Sequence, residues 1–230
     1  MKKLQGKWAL VTGSSRGVGR QVALGLAEQG CNVIVHGRSL ERCADTVARL
    51  KQYGVDVRVA AGELGTAAGD QAVIDAVAAE KVAVDILYNN AGIISEWSDS
   101  AFTIPMEEWQ RVFQINVFST VRLCNALIPP MVDRGWGRVV NVSSGIKNRP
   151  QRAPYSASKA AIDKYTRDLA VELAGSGVII SALDPGWLKT GIGGENAPRG
   201  VEAVLPGALV PVLLEDGSDG GNFFCAGDFQ

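Results

Sequence analysis

The chain has 230 residues, 47% of them apolar and 20% charged, which suits one sizeable α/β domain better than two small ones. Basic and acidic residues nearly cancel, 23 against 24, so no broad field invites nucleic acid or an anionic membrane. No uninterrupted apolar run approaches the roughly 18 residues of a transmembrane helix.

The opening "MKKLQGKWALVTG" has two lysines but no cleavable apolar region, and reads as the first strand of the fold. Short β-rich runs then alternate with longer amphipathic stretches. Strands are expected at 8–12, 32–37, 55–61, 84–92, 137–144 and 178–186. Helices are expected at 19–30, 39–54, 67–80, 105–134 and 154–175. Strands separated by helices imply βαβ units, right-handed crossovers and a parallel sheet. The expectation is a single domain over 1–230, a doubly wound Rossmann-type sheet of about seven parallel strands with helices on both faces. In such sheets ligands bind past the carboxyl ends of the strands.

The residues at those ends carry chemistry. "TGSSRGVG" (12–19) follows the first strand, and Gly13, Gly17 and Gly19 let the backbone approach a pyrophosphate at a helix N-terminus. Its spacing, G-x-x-x-G-x-G, departs from the G-x-G-x-x-G fingerprint. At the end of the second strand an NAD site usually carries an acidic residue. Here Gly37 is followed by Arg38, and Arg16 stands in the glycine turn. Two guanidinium groups suit a 2′-phosphate, so NADP(H) is expected over NAD(H).

The four cysteines, Cys31, Cys43, Cys124 and Cys225, form no C-x-x-C pair and are expected as reduced, buried thiols of a cytoplasmic protein. His36 is the only histidine, which rules out a multi-histidine zinc site, and no metal site is expected. It is expected to cap the second strand without a catalytic part.

The stretch "YSASKAAIDKY" (155–165) supports two chemistries. Tyr155 and Lys159 are four residues apart, on one face of a helix. Ser156 and Lys159 also form S-x-x-K, the nucleophile motif of serine acyl enzymes, and "KTG" occurs at 189–191. No S-D-N is present, and the βαβ series already accounts for the preceding half. The Tyr-Lys reading is the better one.

With "NNAG" (89–92), Asn116, "NVSS" (141–144), "YSASK" and "DPG" (184–186) in this order, the chain resembles the short-chain dehydrogenase/reductase family from about Gly6 to Thr190. The resemblance implies a Tyr155 general acid, polarisation of the carbonyl oxygen by Ser144 (Ser143 being the adjacent alternative), and a Lys159 that lowers the phenol pKa and holds the nicotinamide ribose. Asn116 would support a water chain to Lys159. Cofactor contacts are implied for Ser15 and Val18 in the turn, for Asn90, Ala91 and Gly92, and for Pro185, Gly186 and Thr190. Glu63 in "AAGELG" stands where an aspartate commonly borders the adenine.

Only 11 positions separate Ser144 from Tyr155, and the loop between them carries Lys147, Arg149 and Arg152. Ile94, Trp97 and Trp187 are candidates to line a pocket for an apolar or aromatic carbonyl or alcohol substrate. A substrate lid is expected within about 187–204, and the tail "GNFFCAGDFQ" resembles compact carbonyl-reductase-like members. The alternatives are a 3-oxoacyl thioester reductase and, in another class, a regulator that binds NADP(H) without turnover. By resemblance a homodimer or homotetramer is expected through helices 105–134 and 154–175. Ile162, Leu169 and Leu173 either serve that contact or face the core.

Overall fold

A computed structural model describes residues 3–229. Seven strands form one sheet: β1 Trp8–Val11, β2 Asn32–Gly37, β3 Val57–Ala61, β4 Ile86–Asn89, β5 Gly137–Val142, β6 Val178–Asp184 and β7 Phe223–Cys225. Every pairing is parallel and the order is β3-β2-β1-β4-β5-β6-β7. The order reverses between β1 and β4, which opens a crevice beyond their carboxyl ends.

Six α-helices cover the faces: α1 Gly17–Glu28, α2 Leu40–Leu50, α3 Ala67–Ala79, α4 Met106–Phe113, α5 Thr120–Asp133 and α6 Ala153–Glu172. The period-2 alternation of the strands sends side chains to two cores. Val11, Val35, Tyr88 and Val140 pack with α1 and α2 on one face. Leu10, Ile34, Leu87 and Val139 pack with α3, α5 and α6 on the other.

The expected long helix at 105–134 is interrupted by a π-helical turn, Gln114–Ser119, between α4 and α5. Taken as one unit, Met106–Asp133 is long and apolar enough to cross a membrane by length and composition alone. Val112, Leu123, Cys124, Ile128 and Met131 along it are buried within this protein, the ordinary position of a core helix. The second expected helix, 39–54, ends its α-helical part at Leu50. A 3-10 turn follows to a left-handed Gly54.

Ile162 and Leu173 are buried at 2% and 6% exposure, and Leu169 packs against the second core. These three residues face inward. The tail supplies β7, paired in register through Ala182 with Phe223 and Asp184 with Cys225. Arg138 on β5, almost fully buried, donates to Asp216 at 2.5 Å, and the Tyr88 hydroxyl donates to the Ala208 carbonyl at 2.9 Å. These two bonds hold the segment that precedes β7 against the sheet. Cys31, Cys43 and Cys124 are buried free thiols, whereas Cys225 is half-buried.

Candidate active site

A cleft of about 1520 Å³ runs along the carboxyl edge of the sheet. That exceeds the several hundred Å³ of a typical small-ligand pocket and leaves room for a dinucleotide and a second molecule. All the expected site residues line it except Gly19 and Asn116, which stand behind its wall.

At one end is the turn after β1. Gly13 has φ +66°, a left-handed conformation that favours glycine. A Cβ on Gly19 would stand 2.4 Å from the Asn90 side-chain nitrogen and 2.7 Å from the Gly13 carbonyl, so only glycine lets α1 start so close to the turn. Asn90 secures the turn by donating to the Thr12 carbonyl at 2.8 Å, and Thr12 Oγ1 accepts from the Asn90 and Ala91 N–H groups at 2.9 Å. The first turn of α1 has no side-chain cap at Arg16 and no acidic residue. Its N–H groups and positive helix end therefore face the cleft, a fit for a pyrophosphate.

Ser15, Arg38, Arg42 and Glu63 gather where β2 and β3 end. Arg38 approaches Glu63 at 3.7 Å with both side chains largely exposed, a weak pair that a bound phosphate could replace. Arg42 was not anticipated. It lies in the first turn of α2, just past the end of β2 that carries Arg38. Arg16 instead reaches across the cleft, its guanidinium within 4 Å of the place a Cβ would occupy on Gly191.

The other end holds the acid–base groups. Tyr155 and Lys159 lie in the first two turns of α6, both buried. The Lys159 ammonium is 5.8 Å from the centre of the Tyr155 ring and donates to the Val142 carbonyl at 2.7 Å. An ammonium has three donors, so two remain for other partners. Burial brings its pKa down to about 8, partly offset by the Asp163 carboxylate. The Tyr155 phenol is pushed above its ordinary value by burial, against a lowering by the adjacent Ser144 hydroxyl and with a further rise from Asp184. Burial is the largest cause of this rise.

The two serines part company here. Ser144 lies beside the phenol and accepts from the Ile146 N–H at 3.2 Å. Ser143 is buried and turns toward Asp163 on α6, its hydroxyl making no well-formed hydrogen bond. Asn116, in the π-helical turn, spends its carboxamide on Ile93 and Ser158. Its oxygen and the Lys159 ammonium converge on Gly92, at 3.2 and 3.6 Å from where a Cβ would stand.

Ile94, Trp97, Trp187 and Ile192 line the same cleft as Tyr155. Trp187 is pinned by its indole N–H to the Gly193 carbonyl at 2.8 Å. Trp97 packs under the Arg152 guanidinium, 5.6 Å from its ring centre. Asp184, at the end of β6, lines the cleft with one carboxylate oxygen accepting from the Gly186 N–H at 2.9 Å. It was not singled out beyond its place in "DPG".

The family described as short chain dehydrogenase matches residues 7–199. The chain belongs to this family. It is similar to the rhamnolipids biosynthesis 3-oxoacyl-[acyl-carrier-protein] reductase of Pseudomonas aeruginosa, 35% identical over 87% of this chain and 80% of that one. An NADP-bound 3-oxoacyl-(acyl-carrier-protein) reductase from Agrobacterium tumefaciens superposes with a TM-score of 0.84 at 30% identity, over 97% and 95% of the two chains. An NAD-bound 3-oxoacyl-[acyl-carrier protein] reductase from Brucella melitensis gives 0.86 at 25%, over 96% and 89%. The short-chain dehydrogenase in hand is thus an oxidoreductase acting on CH–OH and C=O groups with a nicotinamide dinucleotide. Structural neighbours of both cofactor types occur, so the preference has to be argued from this chain's own residues.

Proposed function

We propose that this protein is an NADPH-dependent reductase of a carbonyl group on a small, largely apolar substrate, with Ser144, Tyr155 and Lys159 at the reacting oxygen. The observation that carries the reading is the meeting of these three side chains in the cleft that also holds the glycine turn. When bound, the nicotinamide supplies the hydride for reduction or takes it up in the reverse direction. Ser144 donates a hydrogen bond to the carbonyl oxygen and holds it beside the phenol. Tyr155, kept protonated by burial, gives its proton to that oxygen as negative charge develops. Lys159, cationic at neutral pH, stabilises the phenolate left behind, and solvent restores the proton.

Arg38 and Arg42 support the NADPH preference: two guanidinium groups border the end of β2, where their donors suit a 2′-phosphate. Ile94, Trp97, Trp187 and Ile192 support an apolar substrate, and the 187–204 segment is proposed as its cover. A second reading is a 3-oxoacyl thioester reductase, favoured by the basic loop at the cleft and the similarity to reductases of that description. Exposed Phe118 and Val171, on the π-helical turn and α6, support a homodimer or homotetramer. A one-chain mass in light scattering would remove that part.

NADPH consumption against a panel of ketones, aldehydes and 3-oxoacyl thioesters, with NADH in parallel, tests the reading. Turnover selective for NADPH is expected. NADPH binding without turnover of any carbonyl would favour a regulator and remove the catalytic assignment.

A further inference from the structure

His36, the chain's single histidine, is the penultimate residue of β2 and borders the cleft, with only 3% of its surface exposed. Its ring spans two backbone groups. Nδ1 accepts from the Gly13 N–H at 2.9 Å, and Nε2 lies 3.2 Å from the Gly62 carbonyl. An N–H can only donate and a carbonyl can only accept, so these partners assign the tautomer: Nδ1 bare, Nε2 protonated.

Three connections meet at this ring. Gly13 belongs to the turn after β1, His36 to the last residues of β2, and Gly62 follows β3. Backbone bonds reinforce the junction. The His36 N–H donates to Ser14 Oγ at 3.0 Å, and the Gly62 N–H donates to the Gly37 carbonyl at 3.0 Å. A Cβ on Gly13 would stand 3.1 Å from the Ala91 Cα, so the turn also lies close to the segment after β4.

We infer that His36 is a positioning residue for the cofactor, fixing the glycine turn relative to the wall at Gly62 and Glu63. The inference rests on the nucleotide site described under Proposed function. The turn faces the pyrophosphate and the Glu63 wall borders the adenosine end, so one rigid strut sets the distance between two contacts made by one ligand. A side chain of similar bulk without the two nitrogens leaves the Gly13 N–H and the Gly62 carbonyl without that partner in a part-buried place. The turn then relaxes to satisfy them, at the expense of cofactor affinity.

Three variants separate the two bonds. His36→Asn puts an amide oxygen near the Nδ1 position, able to accept from Gly13. His36→Gln puts an amide nitrogen near Nε2, able to donate to Gly62. His36→Leu keeps only bulk. The readouts are NADPH affinity by fluorescence titration, the thermal midpoint, and kcat and carbonyl KM at saturating NADPH. His36→Leu is expected to raise the NADPH Kd at least tenfold with kcat within about threefold, in line with the typical cost of an unpaired, part-buried group. His36→Asn is expected to recover most of that loss and to bind at least fivefold tighter than His36→Gln.

Unchanged Kd in folded His36→Leu would overturn the inference. So would equal Kd in the Asn and Gln variants, which decide the matter even if the Leu variant does not fold. A thermal midpoint lowered alike in all three, with Kd unmoved, would mark a merely structural histidine and also overturn it. Wild-type protein that fails to bind NADPH would instead sink the nucleotide-site reading, and this inference with it.

Discussion

The Asn116 side chain and the Ser158 hydroxyl are joined by a hydrogen bond of 3.0 Å, and Ser158 donates in turn to the Tyr155 carbonyl at 2.7 Å. This chain ties the π-helical turn to the first turns of α6, where the acid–base pair sits. The carboxamide is fully employed: its oxygen accepts from the Ile93 N–H and its nitrogen donates to the Ile93 carbonyl, both at 2.9 Å. A π-helical turn widens the helix by one residue and can redirect a side chain in this way. Asn116→Leu keeps the volume but strands both Ile93 groups. The unfolding free energy should fall by about 1–2 kcal/mol, the lower end for unpaired groups because those of Ile93 are part-buried. Urea titration measures it, and an unchanged midpoint at unchanged slope would dismiss the clamp.

Tyr155→Phe removes one oxygen from a buried ring and leaves the packing in place. The reduction rate should drop by roughly a thousandfold, the range of general acid catalysis, with NADPH affinity within about threefold of wild type. Stopped-flow reduction and a binding titration separate the two effects. A variant that retains a tenth of the rate would show that another group, Ser144 or water, delivers the proton.

The sequence exposed the frame of this protein because its strands are short, β-branched and bounded by glycine and polar turns, signals that are local. It exposed the site because Gly13, Asn90 and Ser144 directly follow β1, β4 and β5, with Tyr155 on the helix after β5, and a parallel sheet gathers such positions at one edge. What escaped depended on tertiary context. The seventh strand is three residues long and earns its place only through register with β6. Ile162 and Leu173 carry no local mark that tells a core face from an outward one. The Tyr155 pKa turned on burial, which no spacing reveals. Asp184 and Arg42 are single charges whose meaning comes from the cleft wall they complete.

Arg42 belongs to an exposed turn of α2, so removing it should disturb the cofactor preference and little else. Arg42→Gln is expected to raise the NADPH KM about tenfold while leaving the NADH KM within twofold, the scale of one charge-assisted contact to phosphate. Arg38→Gln should do the same, and the double variant should approach parity between the cofactors. If the NADH and NADPH constants move together, the arginines hold the adenosine through some other part.

Lys159 has its pKa brought down to about 8 by burial, so its charge is present at neutral pH and lost as pH rises through that value. Reduction needs both the phenol proton and the stabilising ammonium. Its kcat/KM should therefore be flat from about pH 6 to 7.5 and fall toward tenfold per unit well above pH 8. Bound cofactor alters the local charge, so the profile of kcat, which reports the ternary complex, should show its own apparent value. A profile of kcat/KM that is flat to pH 10 would place the ammonium outside the reaction.

His36 adds an acid-side signature to stability. Burial lowers its pKa from 6.5 to about 4, so the unfolded chain binds a proton that the folded protein resists throughout that interval. Stability must then rise with pH across it: the contribution is complete above about 6.5 and disappears as pH falls to about 4. At 1.36 kcal/mol per unit, the difference amounts to about 3 kcal/mol. Arg38, two residues on, and Glu63, next to Gly62, are both exposed and approach each other at 3.7 Å. Carboxylates titrate in the same window, and for that reason the comparison has to be with His36→Asn, which lacks the titrating ring and keeps the Gly13 acceptor. Unfolding free energies at pH 7 and pH 4.5 should differ by clearly more in the wild type than in that variant. Parallel curves would mean that the folded protein accepts the proton readily, and that the Gly13 bond is weaker than its 2.9 Å length implies.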